Sequence, residues 1–237
     1  MLEVPPNIDP LELAKFDRIA SRWWDPEGEF KPLHQINPLR LAYVEQCLGG
    51  LANRRIVDVG CGGGLLSEAM ARRGARVLGI DLAERSLAVA RLHAAEAHTA
   101  VDYQLTSVEE LAQSRPHEFD AVTCMELLEH VPDPAMSISA CARLLRPGGV
   151  AIFSTINRNP KAYLLAIIGA EYVLRLLPCG THDYRQFIRP SELGAWARAQ
   201  GLLLQDLRGL GYNPITRRYA LSHDVSVNYL AHFTLEQ

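Results

Sequence analysis

The stretch Asp58-Val59-Gly60-Cys61-Gly62-Gly63-Gly64 decides the fold class of this chain. It follows a short apolar run at 56–59, which predicts a buried strand, and it precedes a helical pattern over 65–73. Glycines between a strand and a helix allow a tight turn and let a ligand approach the backbone amides at the helix N-terminus. The stretch therefore predicts a βα turn that binds a ligand, the alternative being a glycine-rich turn without one.

Asp81 supports the ligand-binding interpretation of this turn. It ends the next predicted strand, 77–80, and lies 21 residues after Gly60. A carboxylate at the end of the second strand can accept hydrogen bonds from both ribose hydroxyls of a nucleotide cofactor. The loop and Asp81 together predict a cofactor that contains a nucleoside.

The carboxylate of Asp58 distinguishes between two classes of such cofactors. The loop also satisfies the dinucleotide fingerprint loosely, which makes an NAD-dependent dehydrogenase an alternative. A carboxylate inside the loop would repel a pyrophosphate, whereas it suits the ammonium group of a methionine moiety. The pattern of the chain also lacks a second nucleotide-binding unit. The sequence thus favours S-adenosylmethionine.

Short apolar runs alternate with helical patterns through the middle of the chain, and strands are predicted at 56–59, 77–80, 101–105, 119–124 and 150–156. This alternation predicts a parallel sheet with helices on both faces. Two later runs, 203–207 and 225–233, predict an antiparallel hairpin at the sheet edge. The expected fold class is α/β, with a Rossmann-like, mostly parallel, doubly wound sheet and an antiparallel edge strand.

Helices are expected before the first strand. Asp9-Pro10-Leu11-Glu12 predicts a helix start, because the aspartate can cap the helix, the proline suits its first position and the glutamate completes a capping box. We expect this helix to run to about Trp24. By the same logic, a second helix is expected to begin at Asn37-Pro38 and to end near Gly49-Gly50.

The composition is that of an ordinary globular protein, with 237 residues, 48% hydrophobic and 22% charged. We expect one domain over 1–237, with a helical cap over 1–50 and a helical insertion over 158–190. The net charge of -3 argues against a nucleic-acid partner. Five scattered cysteines without a C-x-x-C pair suit a reducing cytosol. No signal-peptide pattern and no apolar window of membrane-spanning length is found, so a cytoplasmic location is expected.

The pattern D-x-G-x-G-x-G resembles motif I of the class I S-adenosylmethionine-dependent methyltransferases. The resemblance implies that the domain is a methyltransferase domain and that Asp81 holds the ribose. It also implies that Met125, just past the fourth predicted strand, lies beside the cofactor. The residues that it places along the methionine part are Asp58, Gly60, Gly62 and Gly64.

The stretch Glu126-Leu127-Leu128-Glu129-His130 follows the fourth predicted strand directly. On a helix, Glu126, Glu129 and His130 would share one face. Two carboxylates and an imidazole could bind a divalent cation such as Mg²⁺ or deprotonate a substrate hydroxyl, which makes Glu129 and His130 the expected catalytic residues. The alternative is packing and loop anchoring, since similar strings occur in many methyltransferases of this fold.

The chain is also similar to bacterial ubiquinone-biosynthesis O-methyltransferases over nearly its whole length. Beyond the loop and residues 123–134, this resemblance is carried by Phe16-Asp17, Trp23-Trp24-Asp25, His34, Asn37-Pro38-Leu39-Arg40, Ser154-Thr155-Ile156-Asn157-Arg158-Asn159, Gly169-Ala170-Glu171-Tyr172, Gly180-Thr181-His182-Asp183 and Tyr212-Asn213-Pro214-Ile215-Thr216. Cys179 is a departure, because a basic residue is expected there.

This resemblance implies methylation of a phenolic hydroxyl on a ring that carries a polyprenyl tail, a polyprenyl phenol or catechol. It implies cofactor contacts at Arg40, Gly60, Asp81 and Met125, with Arg40 as a clamp on the methionine carboxylate. Other enzymes of ubiquinone biosynthesis are expected partners. The alternatives are a methyltransferase acting on carbon or nitrogen of another small molecule, and a regulator that binds S-adenosylmethionine without catalysis.

The insertion is apolar over 162–177 apart from Glu171 and Arg175. Residues 157–190 carry five basic and two acidic side chains, hence +3, which leaves -6 for the rest of the chain. A basic, apolar segment suits a helix lying in the interface of an anionic membrane. We expect peripheral association with the bacterial inner membrane, the alternative being a substrate lid.

Overall fold

Eight strands form one sheet in the computed structural model, which describes residues 7–28, 30–163, 184–213, 216 and 218–236. The strands are β1 (Arg55–Val59), β2 (Arg76–Asp81), β3 (Asp102–Leu105), β4 (Phe119–Met125), β5 (Leu145–Ile156), β6 (Leu202–Asn213), β7 (Arg218–Ser222) and β8 (Asn228–Leu235). Their order in the sheet is β3-β2-β1-β4-β5-β8-β6-β7. The first five strands are parallel and the last three are antiparallel to their neighbours, which confirms the expected fold class.

The helices are α1 (Pro10–Ile19), α2 (Lys31–Leu48), α3 (Leu65–Arg72), α4 (Glu84–Glu96), α5 (Val108–Ser114), α6 (Pro134–Leu144), the short α7 (Pro160–Ala162) and α8 (Pro190–Arg198). Successive residues of the central strand face opposite layers. Ile56 packs into the apolar cluster that contains Val44 of α2, whereas Val57 packs into the cluster that contains Leu111 of α5. Both strand residues are fully buried, as expected for a parallel strand covered on both faces.

The strand order reverses between β1 and β4, because the chain proceeds outward from β1 through β2 to β3 and then returns to β4. In open α/β sheets, ligands bind outside the carboxyl ends of the strands at such a switch point. The residues that follow β1, β2 and β4 therefore share one crevice.

The first helix begins as predicted. Asp9 accepts hydrogen bonds from the backbone amides of Leu11 (2.8 Å) and Glu12 (3.4 Å). The predicted capping box does not form, because the side chain of Glu12 forms a hydrogen bond with His130 instead. The helix ends at Ile19, and a 3₁₀ turn over Ala20–Arg22 follows it.

The predicted start of the second helix is wrong. Helix α2 begins at Lys31, where Pro32 occupies the first turn, and Pro38 lies inside the helix. The side chain of Asn37 does not cap the helix but donates to the carbonyl of Leu65 (2.9 Å). The predicted end is confirmed by Gly49, which has a left-handed backbone (φ 63°).

The antiparallel end of the sheet differs from the predicted hairpin. The two predicted strands do pair, as β6 and β8, but β8 lies between β5 and β6. The outermost position is taken by β7, a strand that sequence reasoning missed. It has five residues and alternates between exposed and half-buried positions, which leaves a weak apolar signal.

The insertion begins with α7, where Asn159 accepts a hydrogen bond from the amide of Ala162 (2.9 Å). Residues 164–183 lie outside the described part of the chain, and with them most of the predicted insertion. Among the helices that the structure describes, none has the length and apolarity needed to cross a bilayer.

Candidate active site

A cavity of about 530 Å³ lies at the carboxyl ends of β1, β2 and β4, beneath α1. This volume is within the range of small-molecule sites. The structure brings nine of the predicted cofactor, catalytic and metal residues to this cavity: Arg40, Asp58, Gly60, Gly62, Asp81, Met125, Glu126, Glu129 and His130. Gly64, which was also predicted to lie along the methionine part, is not among the residues that line it. The N-terminal segment also contributes, through Asn7, Glu12 and Trp23 among others.

The glycine loop needs glycine for its backbone. Gly60, Gly62 and Gly64 have left-handed φ angles of 69°, 52° and 86°, a region that side chains disfavour. The loop is also crowded from outside. A Cβ atom at Gly62 or at Gly63 would lie 2.2 Å from the ring of Trp23. The glycines therefore serve both the turn and the packing of the N-terminal segment.

Two adjacent tryptophans hold the N-terminal segment on the loop. The indole of Trp23 lies against Gly62 and Gly63 and packs on Phe30, with ring centroids 4.1 Å apart. Trp24 donates from Nε1 to the carbonyl of Gly63 (2.9 Å) and stacks on His93 at 3.3 Å. Sequence reasoning had noted these tryptophans as part of the resemblance without giving them a role.

Asp81 closes the loop from the end of β2. One carboxylate oxygen accepts from the amide of Gly62 (2.8 Å) and the other accepts from the amide of Ala83 (2.8 Å). Burial raises the pKa of Asp81, against the lowering effect of these backbone hydrogen bonds. Each oxygen keeps further lone pairs, so the carboxylate remains an acceptor at the cavity wall.

Asp58 lies deeper in the crevice and is 3% exposed. Its carboxylate accepts hydrogen bonds from the hydroxyls of Ser67 (2.6 Å) and Thr123 (2.7 Å). Burial raises the pKa of Asp58, while the two hydroxyls and the nearby Arg40 oppose that rise. Ser67 and Thr123 thus fix the orientation of this carboxylate, and no pattern in the sequence had marked them.

Arg40 comes from α2 and is 7% exposed. Its guanidinium forms an ion pair with Glu126. Glu126 also accepts a hydrogen bond from the side-chain amide of Asn228 (3.2 Å). The Nε atom of Arg40 is buried and has no hydrogen-bond partner within the described residues. A buried donor without a partner can donate a hydrogen bond to a bound ligand.

The prediction that Glu126, Glu129 and His130 share one face of a helix is wrong. Glu126 has a left-handed backbone (φ 53°), and only Leu128–His130 form a 3₁₀ turn. The three side chains consequently engage different elements of the fold. Glu126 pairs with α2, Glu129 with β5 and His130 with α1.

Glu129 is 3% exposed and accepts a hydrogen bond at Oε2 from Thr155 (2.8 Å). Its other oxygen, Oε1, is buried and finds no hydrogen-bond partner in the described ranges. Burial raises the pKa of Glu129, against the charge of His130. This carboxyl group therefore holds a proton more readily than an exposed glutamate does.

The expected Mg²⁺ site is not supported by this arrangement. In the part of the chain that the structure describes, no group of three carboxylate, imidazole or thiol side chains is placed to hold a metal ion. Since Glu126, Glu129 and His130 point to different partners, they do not fit a shared ion.

Comparisons with known proteins agree with this geometry. Residues 57–153 match the family model described as a methyltransferase domain. A ubiquinone biosynthesis O-methyltransferase of Alkalilimnicola ehrlichii is 66% identical, over 96% of this chain and 92% of the relative. Proteins of the same name from Azotobacter vinelandii and Pseudomonas aeruginosa are 63% and 61% identical, each over 94% of this chain and 96% of the relative.

Solved structures match the fold at lower identity. The magnesium protoporphyrin IX methyltransferase of Synechocystis PCC 6803, solved with bound SAH, has a TM-score of 0.67 and 19% identity over 94% of both chains. A possible histamine N-methyltransferase of Thermotoga maritima has a TM-score of 0.63 and 17% identity, over 94% of this chain and 99% of the other. These two structural similarities support the fold assignment alone.

Proposed function

Since the chain belongs to the ubiquinone biosynthesis O-methyltransferases, we propose that it methylates a phenolic hydroxyl of a polyprenyl phenol or catechol, with S-adenosylmethionine as the methyl donor. The observation that carries this proposal is the identity of 61–66% to relatives of that name over nearly the full chain. The cavity at the switch point of the sheet is where the fold would place the donor.

The donor occupies the side of the cavity formed by the loop. Arg40 clamps the methionine carboxylate, and Asp81 accepts hydrogen bonds from the ribose. The remaining contacts are those of Asp58, Gly60, Gly62 and Met125, which line the same cavity. The bound sulfonium carries both the methyl group and its own leaving group, so the task of the protein is to position an oxygen in line with the methyl carbon.

The acceptor occupies the side formed by Glu129 and His130. A phenol has a pKa near 10 and must lose its proton to become a good nucleophile. An imidazole at the cavity wall can take that proton as the oxygen attacks, and His130 is such an imidazole. Glu129, with its buried oxygen Oε1, fixes the acceptor hydroxyl. No step is assigned to a metal ion.

The insertion over 158–190 meets an anionic membrane surface in this proposal. Its support is the sequence: a charge of +3 over 157–190 on a body of -6, and an apolar run over 162–177. A polyprenyl tail partitions into a bilayer, so an enzyme that acts on it needs access there. A lid without membrane contact is the second candidate for this segment.

The experiment is a transfer assay with labelled S-adenosylmethionine and a panel of acceptors. The panel contains a polyprenyl catechol, a polyprenyl phenol, catechol without a tail, and acceptors that offer only nitrogen or carbon. We expect label on the phenolic oxygen of the tailed acceptors and much less on free catechol. Transfer to a nitrogen or carbon acceptor at a comparable rate would instead favour a methyltransferase for another small molecule.

A further inference from the structure

Glu12 of α1 contacts His130 at the wall of the cavity. The Nδ1 atom of His130 donates to the carboxylate of Glu12 at 3.0 Å, although the two residues lie 118 positions apart. Their side chains are 15% and 11% exposed, so the contact is well shielded from water. Both residues line the cavity. The acceptor side of the site therefore includes a charged group from the N-terminal segment.

The approach of Glu12 is fixed by the anchoring of the segment that carries it. Asn7 is 8% exposed; its amide donates to the hydroxyl of Ser137 (2.9 Å), and its oxygen accepts from the backbone amide of Asp133 (2.8 Å). Asp133 lies three residues after His130. Because α1 begins shortly after Asn7, this anchor places the first turn of α1 beside the imidazole of His130.

The hydrogen bond decides where the imidazole carries its proton. A carboxylate that accepts from Nδ1 favours the tautomer protonated at that atom, which makes Nε2 the basic nitrogen of a neutral ring. Such a carboxylate also stabilises the imidazolium that forms when the ring takes up a second proton. Glu12 would thus act on proton transfer without touching the acceptor oxygen.

The charges around the pair are consistent with this role. The hydrogen bond from His130 lowers the pKa of Glu12 to about 2, against the raising effect of its burial. Burial would lower the pKa of His130, but the bond to Glu12 and the charges of Glu129, Glu12 and Glu126 outweigh it and raise that pKa. Lys15 pairs with Glu12 from the solvent side (2.5 Å).

We propose that Glu12 is a positioning residue for His130, which holds the imidazole in the orientation and tautomer needed to take the acceptor's proton. This inference rests on the proposed function, because it assigns a proton to His130 during methyl transfer. It adds that the acceptor side of the site is completed by residues 7–22, which come from outside the strand-and-helix core.

The test compares Glu12→Ala and Glu12→Gln with Lys31→Met as the control, since Lys31 forms an exposed ion pair with Glu27 away from the cavity. The alanine variant removes the acceptor, the glutamine variant keeps an oxygen that can accept from Nδ1, and the lysine variant removes an ion pair that has no part in the site. Three quantities are measured: kcat with a polyprenyl catechol, the affinity for S-adenosylmethionine by calorimetry, and the ¹⁵N and ¹H NMR signals of the His130 ring.

We expect Glu12→Ala to lower kcat by about 10- to 100-fold, as the loss of a carboxylate that orients a metal-bound imidazole typically does. Its affinity for S-adenosylmethionine should stay within about 3-fold, and the Nδ1–H signal of His130 should be lost or shifted. Glu12→Gln should retain most of the signal and lose less of kcat. Lys31→Met should match the wild type in all three measurements.

An unchanged kcat in Glu12→Ala, with an active wild type, would overturn the proposal. So would parallel losses of kcat and donor affinity in both Glu12 variants, because these indicate a general role of α1 in the fold. If the alanine variant does not fold, the glutamine variant decides on the same criteria. If the wild type transfers no methyl group to any phenol, the proposed function fails, and an Nδ1–H signal that is unchanged in Glu12→Ala separately disproves the pairing.

Discussion

Arg40, which is buried, and Glu126, which is partly exposed, form an ion pair that joins α2 to the residue after β4. Arg40 belongs to the proposed donor side of the cavity, and Glu126 begins the stretch that leads to the acceptor side. The pair keeps the guanidinium charge neutralised inside the fold, since an unpaired buried charge would cost several kcal/mol. The pair also lies between the donor side and the acceptor side of the site. The first prediction concerns its arginine.

Arg40→Met should weaken the binding of S-adenosylmethionine by about 10- to 100-fold, because hydrogen bonds to charged groups contribute about 1.5–3 kcal/mol. The sharper measurement uses decarboxylated S-adenosylmethionine, which lacks the group that Arg40 is proposed to bind. The wild type should prefer the complete donor, and the variant should bind both equally. A variant that still discriminates would show that another residue binds the carboxylate.

Asp81→Asn should weaken S-adenosylmethionine by about 1.5–3 kcal/mol, since a neutral amide is a poorer acceptor and can serve only one of its two amide donors. Isothermal calorimetry measures this change. Asp120→Asn is the matched control, because Asp120 lies near the opposite end of the same sheet, where it pairs with Arg146 (2.6 Å). Equal losses in both variants would argue against a ribose contact at Asp81.

Gly63→Ala should destabilise the fold by about 1–3 kcal/mol, as overpacking does, because the added methyl group would lie 2.2 Å from the Trp23 ring. Urea unfolding measures the change. In a Trp23→Ala background, the same substitution should cost much less. Gly194→Ala is the control: a methyl group there meets nothing within 4 Å, so this helical position should gain stability. A cost at Gly63 that is independent of Trp23 would contradict the prediction.

The stability that the pair Glu12–His130 contributes should be greatest between about pH 4.5 and 6.5. The folded-state pKa of Glu12 is lowered to about 2 from 4.5, so its contribution is lost as the pH falls through that interval. The pKa of His130 is raised above 6.5, so its contribution is lost as the pH rises through the raised value. The measurement is the difference in unfolding free energy between wild type and Glu12→Gln across pH 3–9. A difference that does not vary with pH would indicate that the pair is not charged.

The wild type should co-float with vesicles of anionic lipid, whereas Ile167→Glu with Leu174→Glu should not. These substitutions place two negative charges in the apolar run of the insertion, at positions that lie outside the described residues. Leu203→Glu with Leu204→Glu is the matched control, since both leucines of β6 are exposed, at 42% and 51%. If the wild type stays in the soluble fraction, the insertion acts as a lid.

The parallel half of the fold could be predicted because its signals are local. The strands β1, β2 and β4 are short apolar runs between turn residues, and the left-handed glycines of the loop have no substitute. The start of α2 could not be predicted in the same way. Two prolines, Pro32 and Pro38, compete for the first turn, and tertiary packing decides between them.

Within the site, the residue types were predicted but their partners were not. A helical pattern after β4 assumed an ordinary backbone at Glu126, whereas its φ of 53° turns the chain and separates the three side chains. The bond between Glu12 and His130 joins residues 118 positions apart, and no local pattern encodes such a contact. Glu12 had been assigned to a capping box, a role that local geometry alone would favour.

The anchoring of the N-terminal segment sets an order on how the active protein comes into being. Asn7 and Glu12 are synthesised long before Ser137 and His130, their partners 130 and 118 positions later. Contacts across such distances form after the local ones, because closing a long loop costs entropy that only an existing surface can offset. We therefore expect the sheet to assemble first and α1 to dock late. A newly made chain would then have its glycine loop in place before Glu12 reaches His130.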